Sequence, residues 1–200
     1  CASRLFMSTV DARLIAIDAR SGRPCEGFGT GGQVDLSASV GKIRYAGEYT
    51  HTSPPAVRGD RVVVGGAVGD HGGTDVPSGV VRAFNAVTGA LEWAQDLAPP
   101  DYDYARHGVS SAGYALATPN VWAPMTVDAG LGLVYVPTGN PSPDYFRSGV
   151  PDMDYYGSSL VALDAGTGAI RWHYQFVHND FWDFDTPAQP SLFEFERDGE

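Results

Sequence analysis

Three carboxylates, one imidazole and three aromatic rings crowd into His178-Asn179-Asp180-Phe181-Trp182-Asp183-Phe184-Asp185-Thr186-Pro187. A carboxylate set among aromatic rings beside a cation is a candidate general base, because the cation keeps it ionised while the rings exclude water. A solvated acidic turn is the competing description, and the interleaved Trp182 and Phe184 disfavour it. Asp183 is the candidate base. His178 has no second imidazole or thiol at ligand spacing and stays outside the candidate site.

Two further oxygen-bearing side chains fall in register with each other. Thr52-Ser53-Pro54-Pro55-Ala56-Val57 aligns without gaps on Trp122-Ala123-Pro124-Met125-Thr126-Val127, so Asp70 and Asn140 each lie eighteen residues past an equivalent position. Asp183 precedes the next such segment, Thr186-Pro187-Ala188-Gln189-Pro190, by three residues. Asp70, Asn140 and Asp183 are therefore expected at one mouth of a common channel. Such hard oxygen donors suit Ca²⁺ or Mg²⁺ and not zinc. Asp and Asn at strand ends also cap turns, and spacing alone leaves both readings open. Trp122, flanked by Pro119 and Pro124, is either the floor for a flat conjugated ligand or a filler of the channel wall.

The elements that must hold these residues repeat. Ala83-Phe84-Asn85-Ala86-Val87-Thr88-Gly89-Ala90-Leu91-Glu92-Trp93 returns as Ala162-Leu163-Asp164-Ala165-Gly166-Thr167-Gly168-Ala169-Ile170-Arg171-Trp172, and a third copy begins at Ala16-Ile17-Asp18 without the Trp. Each copy reads as strand, tight turn with Gly at positive φ, and strand, with the Trp free to pack on a neighbouring unit. Upstream, Arg61-Val62-Val63-Val64 matches Leu131-Gly132-Leu133-Val134, which completes four antiparallel strands per unit. Tandem four-stranded units are the blades of a β-propeller. The expectation is an all-β partial propeller over residues 1–200 of about two and a half blades. Residues 50–98 and 120–178 are the complete ones, 1–30 end a preceding blade and 183–200 begin the next. Open ends leave apolar faces unpaired, so the full protein is expected to be longer.

Composition sets outer limits. The chain has 200 residues and a formal net charge of −11, which argues against nucleic acid and against anionic lipid as partners. Gly and Pro make up about a fifth of it, as suits short strands and tight turns. The longest apolar run, from Val62 to Gly69, is too short for a bilayer. There is no Gly-x-Gly-x-x-Gly opening a helix, no phosphate loop, no Cys-x-x-Cys and no nucleophile elbow, which disfavours a nicotinamide cofactor. Cys1 and Cys25 are too few for a disulfide scaffold; one staple and two unpaired thiols are equally compatible with their spacing.

Taken together, the Trp repeats, Thr52-Ser53-Pro54-Pro55, Thr138-Gly139-Asn140-Pro141-Ser142-Pro143-Asp144 and the 178–190 segment resemble the pyrroloquinoline quinone (PQQ) dehydrogenases. More narrowly, they resemble the membrane-bound glucose dehydrogenase branch, which includes quinate and polyol dehydrogenases. That resemblance implies an eight-bladed propeller with PQQ and a divalent metal, Ca²⁺ or Mg²⁺, in the central channel. It implies that Asp183 is the catalytic carboxylate, that Trp122 stacks under PQQ and Thr52 contacts it, and that Asp70, Asn140 and Asp183 hold the metal. It also implies oxidation of glucose to its lactone, ubiquinone as acceptor, and a catalytic domain on the periplasmic face of the bacterial inner membrane, with any anchor outside this chain. Quinate, polyol or alcohol substrates are the alternatives. A second class of reading is a non-catalytic scaffold propeller such as the outer-membrane assembly lipoprotein. Thr52, Asp70, Trp122, Asn140 and Asp183 occurring together favour the enzyme.

Overall fold

The structure, a computed structural model, describes residues 1–146 and 152–196. It is built from antiparallel sheets joined by loops. The first sheet holds β1 (Arg4–Ser8), β2 (Arg13–Asp18) and β3 (Gln33–Asp35) in chain order. A two-stranded ribbon pairs β4 (Tyr49–Thr50) with β7 (Ala67–Val68). Two four-stranded sheets follow. One orders β5 (Ala56–Arg58), β6 (Arg61–Val64), β8 (Val81–Asn85) and β9 (Leu91–Gln95). The other orders β10 (Thr126–Asp128), β11 (Leu133–Pro137), β12 (Ser159–Asp164) and β13 (Ile170–Gln175). These are propeller blades, and the fold is an all-β propeller fragment. Among the described residues no helix is long and apolar enough to cross a membrane.

Stacking explains the continuous Val62-Val63-Val64 run. Successive strand residues face opposite ways. Val62 and Val64 join Leu14, Phe28 and Leu36 in one core layer, whereas Val63 joins Val134, Val136, Val161 and Leu163 in the next. β6 is thus buried on both faces. Even the irregularities recur: the β8–β9 register shifts between Ala83 and Phe84, and the β12–β13 register at Ala162/Leu163.

The repeated Asp/Asn-x-x-Thr/Ser-Gly motif has one physical cause. In each copy a side-chain oxygen caps two amides and a hydroxyl. Asn85 Oδ1 accepts from the Val87 and Thr88 amides at 3.0 Å, and Asp164 Oδ1 from the Gly166 and Thr167 amides at 3.0 and 2.9 Å. Asp18 does the same for Arg20 and Ser21. The chain then reverses at Gly22, Gly89 and Gly168, with φ of +68°, +74° and +77°. Trp93 docks on the next blade as its spacing predicts. Its indole Nε1 donates to Ala165 O at 3.2 Å, and its ring lies where a Cβ on Gly168 would stand 2.5 Å from Cε3.

Two expectations need amending. The copy at Ala16 does not run on into a regular strand after Gly22. Only an isolated bridge forms, Ile17 to Pro24, before Cys25 is tied to Cys1 by a disulfide, and β3 takes the neighbouring ladder. Residues 183–196 form no strand; Pro187 and Pro190 lack the amides a ladder needs. That segment lies along β10 instead, with Thr126 Oγ1 donating to Pro190 O at 2.5 Å and Gln189 Nε2 to Met125 O at 3.1 Å. Residues 197–200 lie outside the described residues.

Candidate cofactor and metal site

Asp70 follows the β4–β7 ribbon and opens a single 3-10 turn, Asp70–Gly72. Asn140 lies three residues past β11 and is fully buried. They are not equivalent positions as the gapless alignment expects: Ala56 pairs with Val63 where Thr126 pairs with Tyr135, because the β10–β11 turn is two residues longer than the β5–β6 turn. A residue that sequence spacing did not single out brings them together. Asn120 Nδ2 donates both to Asp70 Oδ2 at 3.3 Å and to Asn140 O at 3.4 Å. Asp183 joins the group, close enough to Asp70 to raise its pKa, while Asn140 Nδ2 donates to the neighbouring Asp180 O at 2.9 Å.

The turn carrying Asp183 is held from beneath by Asp180, which is buried at 1% exposure. Its Oδ2 accepts from Ser158 Oγ at 2.7 Å and from the Phe184 and Asp185 amides at 2.9 and 3.1 Å. Oδ1 takes the Trp182 amide at 3.2 Å. Burial alone raises the Asp180 carboxyl, but these donors outweigh it and leave its pKa below the ordinary value. Asp180 therefore shapes the loop as a fixed anion. Asp183 and Asp185 both take left-handed backbone, φ +57° each, a conformation Asp tolerates better than most residues and one that marks a constrained turn.

The other carboxylates are perturbed upward. Burial and the neighbouring Asp183 and Asp144 push Asp70 up to about 6. Burial and Asp144 raise Asp183, and burial raises Asp185. Asp183 Oδ1 is buried without a hydrogen-bond partner, as is Asn120 Oδ1. Crowded, desolvated carboxylates with orphaned hard oxygens fit a divalent cation, whose charge offsets both the repulsion and the burial. A second cluster adjoins them. His71 Nδ1 lies 2.6 Å from Asp144 Oδ2 and 3.7 Å from Asp70 Oδ1, and Asp144 raises the His71 pKa. His71 and Asp144 were invisible as a pair, 73 residues apart. His178 is exposed and takes no part.

Trp122 lies ahead of β10. Its carbonyl accepts from Thr52 Oγ1 at 3.0 Å and from Ser53 Oγ, which locks two successive blades at the same point. Its indole Nε1 donates to Asp185 Oδ2 at 2.7 Å. The same carboxylate receives the Asn140 amide on Oδ1 at 2.6 Å. Thr52, Trp122, Asp185, Asn140, Asn120 and Asp70 thus form one hydrogen-bonded network, with Asp183 beside it.

The family described as "PQQ: Glucose/ethanol/alcohol dehydrogenase, beta-propeller domain" matches residues 1–200. The chain belongs to this family. It is 46% identical over 199 residues to the "Probable quinate dehydrogenase (quinone)" of Xanthomonas campestris pv. juglandis, across 98% of this chain and 24% of that protein. It is 43% identical over 195 residues to the "Glycerol dehydrogenase large subunit" of Gluconobacter oxydans, across 97% of this chain and 26% of that protein. Among solved structures, the quinohemoprotein alcohol dehydrogenase ADHIIG of Pseudomonas putida HK5 superposes with a TM-score of 0.73 at 28% identity, over 98% of this chain and 28% of that one. The chain therefore spans about a quarter of the length of these relatives.

Proposed function

We propose that this chain supplies part of the active site of a PQQ-dependent, quinone-linked dehydrogenase that oxidises a CH–OH group of a polyhydroxylated substrate. The observation that carries this reading is the single network joining a flat indole, Trp122, to a set of desolvated hard-oxygen ligands. On this reading residues 1–200 form about two and a half blades, with 50–98 and 120–178 complete. Trp122 and Thr52 contact PQQ, while Asp70, Asn140 and Asp183 hold Ca²⁺ or Mg²⁺.

When bound, PQQ supplies the hydride-accepting quinone and the divalent ion the charge that polarises it. This chain's residues do the rest. The Asp183 carboxylate accepts the substrate hydroxyl proton, a role that typically contributes ~10²–10⁴ in rate. Asp180 fixes the turn that aims it, and the Asn140 side chain holds the same turn through Asp180 O. Thr52 pins the Trp122 backbone. Phe181, Trp182 and Phe184, expected to exclude water from the base, instead stand exposed beside the turn, Trp182 at 81%.

Within the substrate class, glucose is the reading the sequence motifs favour, and the 46% identity to a protein named for quinate favours that cyclic polyol acid. The acceptor is a membrane quinone such as ubiquinone, and the location the periplasmic face of the inner membrane. The test is reconstitution of the cofactor-free parent protein with PQQ and either Ca²⁺ or Mg²⁺, followed by dye reduction with glucose, quinate and glycerol. Activity that needs both additions and selects one substrate is the expected result. Failure to bind PQQ under any metal condition contradicts the reading and favours a scaffold propeller.

A further inference from the structure

Asp185 is a carboxylate that the proton-transfer chemistry does not use, yet it occupies the centre of the network. Oδ2 receives the Trp122 indole Nε1–H at 2.7 Å, and Oδ1 receives the Asn140 backbone N–H at 2.6 Å. Its own amide is tied to Asp180 Oδ2 at 3.1 Å, and its φ of +57° turns the side chain back toward β11. Gly139 leaves the space: a Cβ there would meet Asp185 Oδ1 at 3.0 Å, and Cγ and Oδ2 at 3.2 Å. Both oxygens are spent on donors from different segments, 45 and 63 residues away.

We infer that Asp185 is a positioning residue that couples the orientation of the Trp122 ring to the Asn140 end of the metal site. Because it bonds both donors with one rigid carboxylate, the indole plane cannot swing without disturbing the Asn140 backbone, and the reverse holds as well. An ordinary loop aspartate capping its own turn has no such reach; Asp180 does that work here. Ionised carboxylate is the only common side chain of this size that accepts on both oxygens, so Asn is not a neutral replacement. Asp185→Asn turns one acceptor into an NH₂ that faces another N–H. Residues that orient a binding group in this way typically change ligand or metal affinity by roughly 10–100-fold when lost. The inference rests on the proposed PQQ site.

The test is a double-mutant cycle in the full-length parent, measuring PQQ affinity by equilibrium dialysis and the Ca²⁺ concentration that half-saturates PQQ binding. Asp185→Asn is expected to weaken PQQ binding about 10-fold or more and to raise the Ca²⁺ requirement with it. Trp122→Phe keeps an aromatic face but removes the N–H. In that background Asp185→Asn is expected to add little to the PQQ loss while still raising the Ca²⁺ requirement. Gly139→Ala leaves every charge in place and only crowds the carboxylate, so a smaller shift in both quantities is expected. Full additivity of the two substitutions for PQQ, or an Asp185→Asn protein with both affinities unchanged, overturns the coupling. If Asp185→Asn does not fold, Gly139→Ala decides alone, and unchanged affinities there overturn it. A parent that binds no PQQ overturns the cofactor reading and this inference with it, an outcome distinct from the others.

Discussion

The three turn glycines offer an internal control on blade docking, because they share a backbone conformation but not a neighbourhood. Gly22, Gly89 and Gly168 have φ of +68°, +74° and +77°. A Cβ on Gly22 meets nothing within 4 Å, one on Gly89 meets the Gly29 amide nitrogen at 2.7 Å, and one on Gly168 meets Trp93 Cε3 at 2.5 Å. Alanine in the left-handed region costs about 1 kcal/mol on its own, and overpacking a tight contact adds about 1–3 kcal/mol. Gly22→Ala is therefore expected to cost about 1 kcal/mol, and Gly168→Ala and Gly89→Ala about 2–4 kcal/mol. Denaturant midpoints of the intact parent protein read these differences at constant m-value. Trp93→Leu removes the ring, so Gly168→Ala in that background should fall back to about 1 kcal/mol. Equal costs at all three glycines, or a Gly168→Ala cost untouched by Trp93→Leu, would refute docking through the indole.

Three further outcomes follow from the same physics. His51 is 3% exposed, packs edge-on against Tyr49, and is held down to about 4 by burial and by Arg82. The unfolded chain takes up a proton near pH 6.5 that the native state refuses until about pH 4, so stability falls as pH drops through that window. The loss approaches about 3 kcal/mol at the acid end, and His51→Gln should flatten this part of the pH–stability profile. Cys25→Ser opens the Cys1–Cys25 link, which closes a separation of 24 residues, and should cost about 3 kcal/mol in denaturant titrations of the oxidised protein while leaving PQQ affinity intact. Asn120→Ala removes the bridge between Asp70 and the Asn140 carbonyl. It should weaken Ca²⁺ binding roughly 10-fold by isothermal titration, with the PQQ-free protein folding normally.

The repeat made the fold legible. Alternating apolar residues and the Asx turns are local signals, and the repeat they form marks the strands; gapless alignment nonetheless misplaced Asp70 and Asn140 as equivalents, because the β10–β11 turn carries two residues more than the β5–β6 turn. What stayed hidden depends on contacts between distant segments. Asp185 was visible only as one of three acids in a row, and the spacing Asp180-x-x-Asp183-x-Asp185 does not say which caps the turn, which is left unpaired and which reaches Trp122. Asn120 looked like one more polar residue beside Pro119. The His71–Asp144 pair required knowing that the 3-10 turn after β7 meets the loop after β11. The broken outer strand of the first sheet followed the disulfide, whose formation spacing left open. The strandless course of 183–196 reflects two prolines that the repeat alignment passed over.

The central claim is that Asp183 takes the substrate proton at a site which binds PQQ through other residues. Stopped-flow absorbance of the reconstituted parent, mixed once with its substrate in the absence of acceptor, tests it most directly. The wild type should reduce its bound PQQ within the first turnover. Asp183→Asn, loaded with PQQ to the same occupancy, should reduce it at least about 100-fold more slowly. Equal rates in the two proteins would contradict the assignment and move the search for the base to the neighbouring carboxylates.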